Sequence, residues 1–173
     1  LSSSRDYKHH YNQSVVLQSG EFYEKGVIEA ILLHLQGHHD ALRMVFHHDS
    51  HGVWHQENLG LPSGYSISEY DLRGVSDAAE QGIKYSELLQ GSIDLSTGPL
   101  MRCGLFHYDS GDRLQLVIHH LVIDTVSWRI LLEDLDTLLS QHASGMSYSL
   151  PPKTDSYKVW SEGLHAYSLG AAL

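Results

Sequence analysis

Apolar residues recur along this chain with two periods, and each period marks an element. Between Phe22 and Gln36, Val27, Ile28, Ile31, Leu32 and Leu35 follow helical spacing, and Gly37 supplies a stop. A second stripe, Trp128, Leu131, Leu132, Leu135, Leu138 and Leu139, predicts a helix from about Val126 to Gln141. Short β-branched or alternating runs predict strands at 13–19 (QSVVLQS, closed by Gly20), 65–72 (YSISEYDL), 99–108 (PLMRCGLFHY) and 113–120 (RLQLVIHH). A DSGD turn joins the last two. LRMVFHH and GVWHQENL flank a turn at Asp49–Gly52 and read as a hairpin. Ser76 and Asp77 are candidate caps for a helix running to about Leu89. GMSYSLPPKT (145–154) reads as a loop, and a last helix is expected over 155–168. The pattern mixes helices with strands that are often adjacent, and no repeat is visible, so the expected class is α/β, of the α+β mixed-sheet kind.

Composition narrows the function classes. A length of 173 residues fits one domain, or one lobe of a larger one. A formal net charge of -10 argues against nucleic acid as a partner, because phosphate binding needs a basic face. The single cysteine, Cys103, excludes a disulfide or a thiolate zinc cluster within the chain and fits a reducing, cytoplasmic setting. No run of about 18 apolar residues is present, so no membrane span is expected. The opening LSSSRDYKHHYNQ has neither a Met nor an apolar signal region and reads as the interior of a longer protein. Histidine is abundant, with 14 residues and pairs at 9–10, 38–39, 47–48 and 119–120. The first three pairs read as compositional bias on a solvated surface. His47, His48 and His51 fall in a turn without an evident carboxylate or cysteine partner, so they read as loop, and no metal site is expected.

The last pair stands apart. In VIHHLVIDTVSW (117–128) an apolar strand ends in two histidines, and a helix follows directly. Alternation puts Leu114, Leu116, Ile118 and His120 on one face, and Gln115, Val117 and His119 on the other. His120 therefore sits on a leucine-marked face at a strand end, a suitable place for a general base. Asp124 falls in the turn that opens the helix, where it can cap, pair with a cation, or both. On spacing alone, a core histidine followed by a capping aspartate is an equally good reading. No serine or cysteine sits in an elbow context, so covalent catalysis is not indicated.

HHLVIDTVSWRILLEDL resembles the HHxxxDG motif of the condensation superfamily of nonribosomal peptide synthetases, and its VSWRILLEDL continuation is more like the epimerization branch. Four further stretches agree in order along the chain. YNQSVVL (11–17) resembles the first strand of epimerization domains. HHDALRMVF (38–46) is similar to the RHExLRxxF motif, with His38 where condensing domains carry Arg. IDLSTGPLMRCGLF (93–106) looks like the DLxxGPLxRxxLF strand, and PPKTDSYKVWSEGL (151–164) resembles the segment that closes the first lobe of epimerization domains.

The resemblance implies a chloramphenicol acetyltransferase-like lobe over residues 1–173, the N-terminal half of a two-lobed domain. It implies inversion at the Cα of an aminoacyl or peptidyl thioester on the phosphopantetheine arm of a peptidyl carrier protein, with no cofactor of its own. Under it, His120 with His119 carries the acid/base chemistry, Asp124 braces the loop with Arg43 as its ion-pair partner, and Thr125, Ser127 and Trp128 border the substrate channel. Thr125 stands where the motif has Gly. A second acid/base, a glutamate, is expected from the other lobe. The alternatives from the same superfamily are a condensation domain that forms peptide bonds and a non-catalytic docking lobe.

Overall fold

The computed structural model describes residues 11–170, so the His9–His10 pair lies outside the described residues. Ten main elements follow in the order β1 (Asn12–Gln18), α1 (Lys25–His38), β2 (Met44–His48), β3 (Trp54–Asn58), β4 (Ser68–Asp71), α2 (Ala78–Gln90), β5 (Met101–Tyr108), β6 (Gly111–His119), α3 (Thr125–Ala143) and α4 (Tyr157–Ser168). A short 3-10 turn over Asp40–Arg43 links α1 to β2. The mixed α/β class expected from the sequence is what forms.

Four strands make one sheet in the order β1-β6-β5-β4, and β2 and β3 form a separate hairpin. β4 runs parallel to β5, while β1–β6 and β5–β6 are antiparallel, so the main sheet is mixed. β6 is central, and eight of its nine residues are buried; only Arg113 is exposed. A strand covered on both faces loses the polar alternation of a half-buried one, which explains the nearly continuous run LQLVIH. On one face α2 docks, with Gln115 Nε2 donating to Ser86 Oγ at 2.8 Å and Asn12 Nδ2 donating to the Gln90 carbonyl at 2.9 Å. α3 reaches the opposite face through Trp128, which bonds Gln13 of β1, and α1 packs along α3. Ile28, Leu32, Leu35, Leu116, Ile118, Leu131 and Leu135 belong to the single buried cluster this produces.

Several boundaries differ from those read in the sequence: α1 runs through Gly37 to His38 instead of stopping there, and three others shift for a local reason. α1 starts at Lys25 rather than Phe22, because the Tyr23 N–H is taken by the Asp112 carboxylate at 2.7 Å and Phe22 is exposed. β4 keeps only four residues of the expected eight. Tyr65 turns its hydroxyl to the Met101 carbonyl, and the Ile67 N–H goes to the Glu29 carboxylate, so neither enters a ladder. The β5–β6 turn is tighter than DSGD implied, since Tyr108 already pairs with Gly111. Gly111 has φ +110, and a Cβ there would lie 2.2 Å from the Ser19 carbonyl oxygen, so only glycine fits.

Next to that turn a polar knot is buried. His107 Nδ1 lies 2.7 Å from Asp112 Oδ1, and its Nε2 lies 3.1 Å from Glu69 Oε1. Asp112 is 1 % exposed and also holds Tyr23, so one carboxylate ties β6 to β5 and to the segment entering α1. Among the described residues no helix is long and apolar enough to cross a membrane.

Candidate active site

The site forms where β6 runs out. The last ladder bond on the β5 side brings the His119 N–H to the Leu100 carbonyl, and the His120 N–H is held by the Tyr11 carbonyl at 2.8 Å. Both backbone amides are thus fixed by flanking strands, which gives the histidines strand precision rather than loop freedom. Alternation then separates the rings. His119 is 3 % exposed, and its Nδ1 accepts the Leu121 N–H at 3.2 Å. His120 is half-buried, its ring 4.9 Å from that of Tyr11.

The bonds around His120 define its tautomer. Its Nδ1 lies 2.7 Å from the Ile123 carbonyl oxygen, which can only accept, so Nδ1 carries the proton. Nε2 of the neutral ring then presents a lone pair. Its neighbour is the amide nitrogen of Gln13 at 3.3 Å. Which end of that amide faces His120 is decided by Trp128, whose indole N–H can only donate and does so to Gln13 Oε1 at 2.7 Å. The proton order from Trp128 through Gln13 to His120 and Ile123 is thereby directional. It leaves His120 a base with its lone pair at Nε2, the species a proton abstraction requires.

Asp124 is the N-cap of α3. Its Oδ1 accepts the Ser127 N–H at 2.7 Å and the Ser127 hydroxyl at 2.6 Å. These two bonds hold the Asp124 carboxyl below the usual carboxylate range, and the field of His120 adds to them. Thr125 is the first helical residue and exposed; among the described residues only glycines take positive φ, so threonine meets no backbone strain there. The cap closes the turn that carries the Ile123 carbonyl. Asp124→Ala is expected to lower stability by about 1 kcal/mol, read from the denaturant midpoint, with Asp124→Asn recovering most of it.

One expected contact is corrected. Arg43 does not pair with Asp124. Its guanidinium donates to the Gln36 and Gly37 carbonyls at 2.6 and 2.9 Å and to Asp40 at 2.7 Å. It follows α1 by only a few residues and is captured by the free carbonyls at that helix's C-terminus, a short-range bond that outcompetes a distant carboxylate. Of Ser127 and Trp128, expected beside a channel, Ser127 serves the cap and Trp128, 8 % exposed, bonds Gln13 of β1. Gln13 itself was not singled out from sequence. The signal was there, because Gln13 shares its strand face with Val15 and Leu17, which pack on the core. A polar residue at such a position needs a partner.

His38, His39 and Asp134 bring three potential ligand atoms within 4.8 Å of one another. His39 Nε2 lies 2.8 Å from Asp134 Oδ2, tying the end of α1 to α3. Burial, helped by the nearby His38 and Lys153, lowers the His39 pKa despite the opposing pull of Asp134. A cleft of about 130 Å³ runs between His39, Val122, Ile123, Ser127 and Leu131, and a cavity of about 320 Å³ lies by Arg43 and Arg102. His120 lines neither of these two.

Comparison with known proteins places this geometry. The family model described as "Condensation domain" matches residues 1–173. Tyrocidine synthase 1 of Brevibacillus parabrevis is 42% identical over 165 residues, covering 95% of this chain and 15% of the synthase. Gramicidin S synthase 1 of Brevibacillus brevis is 40% identical over 161 residues, covering 92% of this chain and 15% of that synthase. The chain thus spans a small part of each curated relative. Among solved structures, the epimerization domain from the third module of tyrocidine synthetase B superposes with TM-score 0.89 at 39% identity, over 93% of this chain and 37% of that one. The first condensation domain of the CDA synthetase superposes with TM-score 0.74 at 17% identity, over 92% of this chain and 42% of that one, which is a likeness of fold.

Proposed function

Because the chain belongs to the condensation-domain family of nonribosomal peptide synthetases, we propose that it is the N-terminal lobe of an epimerization domain, acting on an aminoacyl or peptidyl thioester carried by the phosphopantetheine arm of a carrier protein. The observation that carries this reading is His120 at the end of β6, its Nδ1 pinned by the Ile123 carbonyl so that Nε2 is the nitrogen left to take a proton. The likeness in sequence and shape to a solved epimerization domain supports it.

The chemistry follows from one proton. The thioester carbonyl acidifies the Cα–H bond. His120 Nε2 takes that proton, the C–H electron pair moves into the thioester carbonyl as an enolate, and the imidazolium charge is shared with the Ile123 carbonyl through Nδ1–H. Return of a proton to the opposite face of Cα completes inversion and needs a second group, which the reading assigns to a lobe outside this chain. No redox change is involved, so neither metal nor pyridoxal is required for balance.

The test uses the complete synthetase that carries this chain, loaded with an aminoacyl thioester in deuterated water. Deuterium is expected at Cα, together with a mixture of the two configurations in the released amino acid. Amide formation between two carrier-bound substrates with no deuterium at Cα would instead establish the condensation reading. Carrier binding without either reaction would establish a docking lobe.

A further inference from the structure

We infer that Gln13, locked by Trp128, is a positioning residue that sets the proton state of His120; this deepens the epimerization reading and rests on it for its functional meaning. Gln13 lies on β1 opposite Ile118, two residues before His120 on the same face of β6, so the two side chains are diagonal neighbours across the ladder. The amide can turn either end toward the imidazole. With its carbonyl inward it would accept a proton from Nε2 and favour the charged ring. Trp128 removes that option, because its indole N–H takes Oε1 at 2.7 Å and leaves the amide N–H facing Nε2 at 3.3 Å.

An imidazolium would set one N–H against another, so this orientation of the amide matches an Nε2 that carries a lone pair. At 3.3 Å this bond is longer than the usual hydrogen-bond range. It aims the lone pair yet yields it to a better-placed Cα proton. His120 is thereby set up to abstract first and donate afterwards. The other titratable groups near the ring are Tyr11, just before β1, and Asp124 at the start of α3, while His119 points to the opposite face of the sheet. The variants below leave all three in place.

The test is the pH dependence of diethyl pyrocarbonate acylation at His120 in the complete synthetase, read by peptide mass, beside α-proton washout over the same pH range. Gln13→Glu presents a carboxylate to Nε2 and is expected to raise the His120 midpoint by about one pH unit or more. The acid limb of the washout profile should move with it. Trp128→Phe frees the amide to turn its carbonyl inward and is expected to raise the midpoint in the same direction by a smaller step. A residue that merely filled space would lower activity or stability without moving either midpoint. Washout in the parent with midpoints unchanged in both variants would overturn the role of Gln13 and leave the epimerase reading intact. Midpoints that move while the parent shows no washout would uphold Gln13 and remove the epimerase reading.

Discussion

His120→Ala is expected to slow α-proton exchange by roughly 10²–10⁴-fold, the usual worth of a positioned general base. Deuterium incorporation at Cα of the loaded thioester measures it directly. The fold should survive the change. The ring is half-buried, and its two polar bonds go to the Ile123 carbonyl and the Gln13 amide, both beside solvent-facing turns or strand ends. The backbone bond from the His120 amide to Tyr11 does not depend on the side chain. An unaltered melting temperature with lost washout would separate chemistry from stability. Full washout in the variant would take the base away from His120 and reopen the assignment of the site.

Asp112→Ala is expected to be the more damaging change for the folded state, at about 3 kcal/mol, because it removes one member of a buried, hydrogen-bonded charge pair. The Asp112 carboxylate satisfies His107 Nδ1 and the Tyr23 amide from inside the protein, and alanine leaves both unmatched. The pair also makes stability depend on pH. Burial works against a charge on His107, but its bonds to Glu69 and Asp112 outweigh that and hold its pKa above the ordinary histidine value. A raised folded-state pKa means that the stabilisation is complete below the unfolded value of 6.5 and disappears as pH rises through the folded value. Denaturant midpoints should therefore fall from the mildly acid range into the mildly alkaline one. Asp112→Ala should flatten that slope as well as lower the whole curve. A slope that persists unchanged would assign it to other groups.

Where side-chain period alone decides structure, the chain was readable. The stripe from Trp128 to Leu139 does form α3, and the run read as a strand to His120 forms one that stops at His119, with a parity that sends the two histidine rings to opposite faces. Mixed-sheet topology was legible as a class but not as an order: nothing local in YSISEYDL announces that it lies parallel to β5. The site was legible in part. His120 and Asp124 stand out by spacing, and the cap on α3 forms as one of the two uses foreseen for Asp124. Arg43 was placed wrongly because the free carbonyls of α1 compete for it in three dimensions. Gln13 was missed because its meaning lies in two partners more than a hundred residues away, Trp128 and His120, which no pattern within β1 reveals.

That separation has a consequence in time. Among the described residues β1 pairs with β6 alone, and Gln13 and His120 are 107 residues apart. At roughly 5–20 residues per second, a ribosome finishes β1 about 5–20 s before it reaches the motif. Through that interval β1 has an edge without its β6 partner, and it waits in a form that neighbouring hydrophobic segments can capture. The base at the centre of the site consequently matures well after β1 is made. Its proton order becomes defined only once β1 and α3 have closed on each other.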